Sequence, residues 1–373
     1  MQIVELQPFT FPVPFNVVFK HSSATRRHAE NFVVQATTDR SAVGFGEGCP
    51  RIYVTDETVA SCLNFLNEHR ESLLERISDV ATLRGWIDDH KSAIDENPSA
   101  FCAIELAILD AFGKQSQLPI ESLLRIEKTS GIVRYTGVMG DSPFLAFWLL
   151  AQRYRRNGFT DVKIKLSGHA KKDRRKLEVW KPRSRGLWRV RLDANNLWEN
   201  HRDCVDHLAT LPTVYWGIEE PMQARDFDSM IHVAQELNCK VILDESCSRV
   251  DDLDSIVGES WVCNLRISKM GGLIRTMELA DVARQKGIEL IVGAHVGETS
   301  LLSRAALALV QFLNNAQLAI EGAFGTYLLK EDLTEEVIEF DSNSAIALEE
   351  LPARARPGLG LEVKDSKLIS LSG

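Results

Sequence analysis

The chain has 373 residues, 45% hydrophobic and 25% charged, a globular composition with length enough for one large barrel plus an accessory domain or for two to three smaller domains. Its formal net charge of -9 argues against a polyanion partner, and no stretch has the length and purity of a membrane span. Seven cysteines, an odd number without paired metal spacing, and an N-terminus without a secretory signal point to reduced thiols and a cytoplasmic protein.

Residues 1–53 alternate apolar and polar positions ("QIVELQPF", "NFVVQATT", "AVGFGEG") with turn residues such as Asp39 and Gly44 between them, which predicts a small antiparallel sheet. Helical periodicity follows in "TDETVASCLNFLNEH" and in "PSAFCAIELAILDAFGKQ", the second opening at Pro98–Ser99 and closing near Gly113. Residues 1–125 therefore read as an α+β domain. From about residue 130 the pattern becomes short apolar runs, each followed by a helix-like segment: "IVRYTGV", "DVKIKL", "WRVRLD", "YWGIE", "KVILD", "CNLRIS", "LIVGAH" and "LAIEG". The basic run at 169–185 is read as the solvated face of one such helix, and with no recognition motif beside it neither nucleic acid nor membrane is expected as a partner. Residues 326–373 hold further short runs ("VIEF", "AIAL", "LEV", "LIS") expected to return and pack on the N-terminal domain.

Near the ends of seven of the eight runs stand Lys165, Asp193, Glu219, Asp244, Lys269, His295 and Glu321, spaced 25 to 28 residues apart. So steady a period is the mark of repeated βα units, and eight of them close into a (β/α)8-type barrel of parallel strands over 126–325. An open doubly wound sheet is the rival architecture, but no G-x-G-x-x-G follows a strand. In a barrel the C-terminal strand ends share one mouth, so these residues become neighbours.

Three successive strands end in acids: Asp193, Glu219 and Asp244. Three carboxylates aimed at one point repel unless a hard divalent cation neutralises them, and oxygen-only ligation selects Mg2+ or Mn2+ over zinc. The bland alternative is that each acid caps a helix or pairs with a lysine. Asn195, two residues beyond Asp193, and Glu245, next to Asp244, could orient ligands or stay loop polar groups, and Glu220 would support Glu219. In "DVKIKL", Lys163 and Lys165 share a strand face. Burying two ammonium groups together lowers the pKa of at least one, which suits a base; on this run alone a surface strand with both lysines in water fits equally well. Lys269, across an eight-stranded barrel, favours the buried reading: with Lys165 it would flank opposite faces of whatever the metal holds.

These motifs, "KIK" (163–165), "LDANNLW" (192–198), "IEEP" (218–221), "LDES" (243–246) and "SKMGG" (268–272), together with "VGFGEG" and "AIELAILDAFGK", resemble the enolase superfamily and within it the muconate-lactonizing subgroup of the mandelate racemase and muconate lactonizing enzymes. The resemblance implies an N-terminal capping domain whose loops cover the barrel mouth, Lys165 and Lys269 as an acid/base pair with Lys163 tuning Lys165, and Asp193, Glu219 and Asp244 as Mg2+ ligands. It also implies abstraction of a proton alpha to a substrate carboxylate to form a metal-stabilised enediolate. Similar dipeptide epimerases carry Asp-x-Asp at the eighth strand, where this chain has only Glu321 in "IEGAFGTYLL". The mandelate racemase subgroup uses a seventh-strand histidine as base with a sixth-strand aspartate behind it. Lys269 stands in place of that aspartate here, so His295 and the nearby Glu298 are read as substrate-binding or supporting groups. In "KHSSATRRHAE", placed where the family has a substrate-covering loop, His21, Arg26 and Arg27 are candidates for a distal polar or anionic group.

The expected protein is a metal-dependent isomerase, a racemase or epimerase of an amino-acid derivative or dipeptide-like carboxylate, because opposed lysines suit a 1,1-proton transfer. Cycloisomerisation of an unsaturated diacid and syn elimination of the succinylbenzoate-synthase kind are the rival chemistries. A non-catalytic binding protein would have lost a member of the acid or lysine set, and none is missing. The oligomeric state stays open, a homo-oligomer among the options.

Overall fold

A computed structural model describes residues 1–20, 25–181 and 188–371, without the side chains of 17–20 and 25–27. The N-terminal sheet is antiparallel: strand Ile3–Lys20 lies between Thr25–Thr38 and the short C-terminal strand Ile369–Ser370, and Val43–Gly48 pairs with the far side of Thr25–Thr38. The C-terminal segment thus ends as a strand of the N-terminal sheet.

The motif "VGFGEG" is explained by what crosses it. Gly44, Gly46 and Gly48 alternate onto one face of their strand, and the buried helix Pro98–Ser116 lies against that face. A Cβ on Gly46 would stand 2.1 Å from Ala103 O, and one on Gly48 1.9 Å from Ser99 O, so only glycine lets the two backbones meet. The intervening Phe45 and Glu47 point the other way.

Among the described residues eight parallel strands form the second sheet, in sequence order: Gly137–Met139, Asp161–Lys165, Arg189–Asp193, Gly217–Glu219, Lys240–Leu243, Trp261–Leu265, Glu289–Val292 and Ala319–Ile320. Thr136 N–H donates to Ile320 O at 2.8 Å, joining the last strand to the first and closing the barrel. The first apolar run is divided, with Ile132–Arg134 pairing antiparallel with Ala345–Ala347 and only Gly137–Met139 entering the barrel. The expected alternation also breaks twice. Strand five is followed by a single 3-10 turn, Val250–Leu253, and strand eight by the four-residue helix Gly325–Leu328. At the first break Asp252 accepts from Ser248 N–H, Ser248 Oγ and Arg249 N–H, a side-chain cap that completes a tight turn instead of opening a helix. No helix among the described residues is long and apolar enough to cross a membrane.

Inside the barrel the side-chain period of two stacks residues in layers. Ile242, Val262, Ile291 and Ala319 form an apolar plug at the base. Two residues further along those strands come Asp244, Asn264, Gly293 and Glu321, so polarity begins one layer above the plug.

Candidate active site

The three acids and three lysines are brought together at the barrel mouth, all except Lys165 buried. Strand pairing aligns Lys165 with Asp193 and Asp193 with Glu219. Lys163 Nζ lies 3.2 Å from Glu219 Oε1, 2.8 Å from Glu321 Oε1 and 4.0 Å from Asp193 Oδ2. Lys165 Nζ donates to Asn195 Oδ1 at 2.9 Å and stands 3.6 Å from Asp193 Oδ2. Across the mouth, Lys269 Nζ donates to Asp244 Oδ1 at 3.0 Å and Cys247 O at 2.8 Å, and to the Asp244 carbonyl.

Burial alone would pull the Lys163 pKa down, but Glu219, Glu321 and Asp193 outweigh it and push it above the ordinary lysine value. Glu219 also moves upward, to about 7: burial is the main cause, Lys163 offsets part of it, and the neighbouring Asp193, Glu321 and Asp244 add to it. A cation and an anion in contact can both be raised here because one lysine is shared among several acids. Burial likewise raises Asp244, but Arg266, Lys269 and Lys163 reverse the sign and hold it well below the usual carboxylate range.

The remaining predicted residues fall in different places. Asn195, in a left-handed backbone conformation (φ 46°), turns its side chain back to Lys165. Glu220 accepts from Asp244 N–H at 2.6 Å and from Ser246 N–H and Oγ at 2.8 Å each, holding the strand-five loop under the acids. Glu245 Oε2 is buried without a hydrogen-bond partner among the described residues, and burial beside Asp244 and Glu220 raises its pKa well above normal. Glu321 is engaged inside the barrel by Lys163 and by Arg191 Nη2; burial would raise its pKa, but Lys163 and Arg191 bring it down to about 2. His295 is buried with neither ring nitrogen hydrogen-bonded among the described residues, and burial together with Arg266 and Arg51 holds its pKa well below normal. Glu298 Oε1 accepts His295 N–H at 2.5 Å, and burial lifts its pKa to about 8. His21 lies outside the described residues, as do the side chains of Arg26 and Arg27.

Three groups of the site escape the sequence reading: Arg191, Asn264 and Arg266. Arg191 bridges Glu321 to Asp161 Oδ1 at 2.6 Å. Asn264 Nδ2 donates to Glu219 Oε1 at 3.2 Å, and Arg266 Nη2 binds Asp244 Oδ2 and stands 3.6 Å from Glu219 Oε1. The signal was present, since the parity that pairs Lys163 with Lys165 also puts Arg191 on the face of Asp193 and Arg266 on the face of Asn264.

Among the described residues no three acid, histidine or cysteine side chains stand ready-arranged around one point, because Lys163 and Arg266 lie between the acids. The chemistry of the donor set nevertheless fits a hard divalent cation: three buried carboxylates end adjacent strands, and a fourth, Glu245, has an oxygen without a partner among the described residues.

The mouth of this parallel barrel thus sets carboxylates of three consecutive strands between lysines of two others. The chain belongs to the enolase superfamily, the family described as "Enolase C-terminal domain-like" matching residues 148–367, more than half of it. It is 26% identical over 337 residues to a hydrophobic dipeptide epimerase of Enterococcus faecalis, covering 87% of this chain and 92% of that relative. An N-succinyl-L-Arg/Lys racemase of Bacillus cereus is 24% identical over 380 residues, covering 100% of this chain and 98% of the relative. The solved structure of a dipeptide epimerase from Cytophaga hutchinsonii, complexed with Mg and the dipeptide D-Ala-L-Val, has a TM-score of 0.86 at 21% identity over 100% of this chain and 99% of that one, a likeness of fold.

Proposed function

We propose that this chain is a Mg2+-dependent racemase or epimerase of an amino-acid derivative, with Lys165 and Lys269 exchanging the proton alpha to the substrate carboxylate on opposite faces. The observation that carries this reading is the placement of the two lysines at either edge of one carboxylate cluster, Lys165 beside Asp193 at 3.6 Å and Lys269 beside Asp244 at 3.0 Å. The relatives named as racemases and epimerases support it.

Inverting a carbon centre needs a base on one face and an acid on the other. A neutral lysine on one side takes the alpha proton, and the opposing ammonium returns one from the far side. Lys163, held by Glu219 and Glu321, stands two residues before Lys165 on the same strand face. Asn195 holds the Lys165 ammonium in position. Asp193, Glu219 and Asp244 would hold Mg2+, or Mn2+, which when bound supplies Lewis-acid charge beside the substrate carboxylate. A reducing, cytoplasmic setting suits a chain in which no disulfide joins the described cysteines.

The test is proton NMR in D2O with each enantiomer of N-acylated amino acids and dipeptides. Alpha-proton exchange accompanied by inversion is expected. Lys165→Ala and Lys269→Ala should each abolish exchange on one face while Mg2+ binding persists. Unchanged exchange in both variants would overturn the lysine assignment, and formation of a lactone or an alkene would replace racemisation with one of the rival chemistries.

A further inference from the structure

Helix Ala170–Glu178, which follows strand two, exposes Lys171, Lys172, Arg174 and Arg175, yet its Lys176 turns inward and is only 1% exposed. A buried ammonium needs acceptors for its three N–H groups. Lys176 Nζ has three: it donates to the carbonyl oxygen of Lys165 at 3.0 Å and pairs with Asp141 Oδ1 at 2.5 Å and Asp173 Oδ1 at 3.4 Å. Neither the proton transfer described above nor the metal ligands use this residue.

The carbonyl it reaches belongs to a lysine of the mouth. Lys165 is the last residue of strand Asp161–Lys165, and the chain leaves the strand through Gly168, at φ 74°. The peptide plane between Lys165 and Leu166 is pinned at both edges, since Leu166 N–H donates to Asp193 O at 2.8 Å while Lys176 holds the oxygen. Asp173 fixes the next residue, accepting Ser167 N–H at 2.9 Å and Ser167 Oγ at 2.8 Å, and lies 3.2 Å from His207 Nε2 on the helix after strand three. Asp141, on the loop after strand one, is shared between Lys176 and Lys172. Segments that follow strands one, two and three are thus tied together at the backbone of Lys165.

The two lysines of the mouth differ in how far they depend on such a tie. Lys269 Nζ is anchored at its tip by Asp244 and by the Cys247 carbonyl. Lys165 Nζ makes one hydrogen bond among the described residues, to Asn195 Oδ1, at the end of a flexible four-carbon stem. Where the tip is held at one point, its place is set by the backbone it springs from. We propose that Lys176 is a positioning residue for Lys165: by clamping the Lys165 carbonyl to Asp141 and Asp173 it fixes the backbone torsion from which that side chain leaves, and so it governs proton transfer on one face of the substrate and not the other. This rests on the racemase reading, in which Lys165 serves one of the two faces.

The experiment uses the full chain with Mg2+ and follows alpha-proton exchange of each enantiomer by NMR in D2O, with Lys165→Ala identifying the enantiomer that Lys165 deprotonates. Lys176→Met should slow exchange of that enantiomer about tenfold or more, in kcat with KM little changed, since a misplacement of about 1 Å can cost about a hundredfold, and the other enantiomer should change by about twofold or less. Lys176→Arg, which keeps a charged donor, should recover most of the loss. Asp141→Asn, at a side chain 36% exposed, should give a smaller loss on the same face, and it carries the test where Lys176→Met does not fold. Backbone amide exchange read by mass spectrometry needs no substrate, and in the variants it should quicken at residues 166–168. Equal losses on both faces, no loss on either, or unchanged amide exchange at 166–168 would each overturn the assignment. Quickened amide exchange there in a chain that exchanges no alpha proton, or whose exchange survives Lys165→Ala, would reject the racemase reading and leave the clamp on the Lys165 carbonyl standing.

Discussion

Replacing Glu105 should damage one half-reaction and spare the other. Glu105 belongs to the capping helix Pro98–Ser116, yet its carboxyl accepts Leu273 N–H at 2.6 Å and Ile274 N–H at 2.9 Å, the first turn of the helix that follows Lys269. Gly272, at φ 107°, is pressed against it so closely that a Cβ would stand 2.5 Å from Glu105 Oε2. In Glu105→Ala two buried N–H groups lose their acceptor. An orphaned buried donor costs about 1–3 kcal/mol and a lost cap about 0.5–2, and since these overlap the expected loss is about 2–4 kcal/mol. Burial raises the Glu105 pKa to about 8, with the two N–H bonds pulling the other way. The unfolded chain therefore loses this proton first as pH rises, so the group's contribution to stability falls between its ordinary value and about pH 8. Glu105→Gln, which cannot ionise, should show a shallower decline of urea midpoint over that window. Enantiomer-resolved exchange then tests the placement of Lys269. Exchange on its face should fall about tenfold or more in Glu105→Ala, the effect of about 1.4 kcal/mol at that step, while the Lys165 face changes far less. Equal losses on both faces, in proportion to the folded fraction, would refute the reasoning and leave Glu105 a stabilising residue only.

Glu321→Leu should lower stability by about 3 kcal/mol, seen as a reduced urea midpoint, because Lys163 and Arg191 lose a buried counter-charge that they share; a changed KM with unchanged stability would return Glu321 to substrate binding. Gly46→Val should cost about 3 kcal/mol or more by pushing helix Pro98–Ser116 off its strand, read by thermal melting, since a Cβ there stands 2.1 Å from Ala103 O, whereas Gly85→Ala, with no described atom within 4 Å of its Cβ, should not.

The barrel was legible because strand-end chemistry repeats at near-constant spacing, and that repeat depends only on parallel strands opening on one mouth. Where the repeat breaks, after strands five and eight, the chain still has residues of helical character, and tertiary context replaces the helix: Asp252 closes a 3-10 turn in the first case. The short run "IVRYTGV" could not reveal its own division, because the partner that takes Ile132–Arg134 lies at Ala345–Ala347, more than two hundred residues away. Arg191 and Arg266 were missed for another reason. Arginine in a strand reads as a solvent-facing residue, and only the closed barrel makes its inward face a place where a guanidinium meets acids, Asp161 and Glu321 for Arg191 and Asp244 for Arg266.

Lys163 and Lys165 show how far parity alone can carry an argument. The rule that i and i+2 share a face is correct for both, and it says nothing about depth. Two residues along a strand advance about 6.6 Å, more than the reach of a hydrogen bond, so the two ammonium groups occupy different layers. The lower layer surrounds Lys163 with Glu219 and Glu321 and fixes its charge. The upper one leaves Lys165 19% exposed against the neutral Asn195 and a single carboxylate at 3.6 Å. Depth is set by how each neighbouring strand is staggered, a property of the whole closed sheet, and that stagger packs one lysine of the motif among carboxylates and leaves the other partly exposed at the mouth.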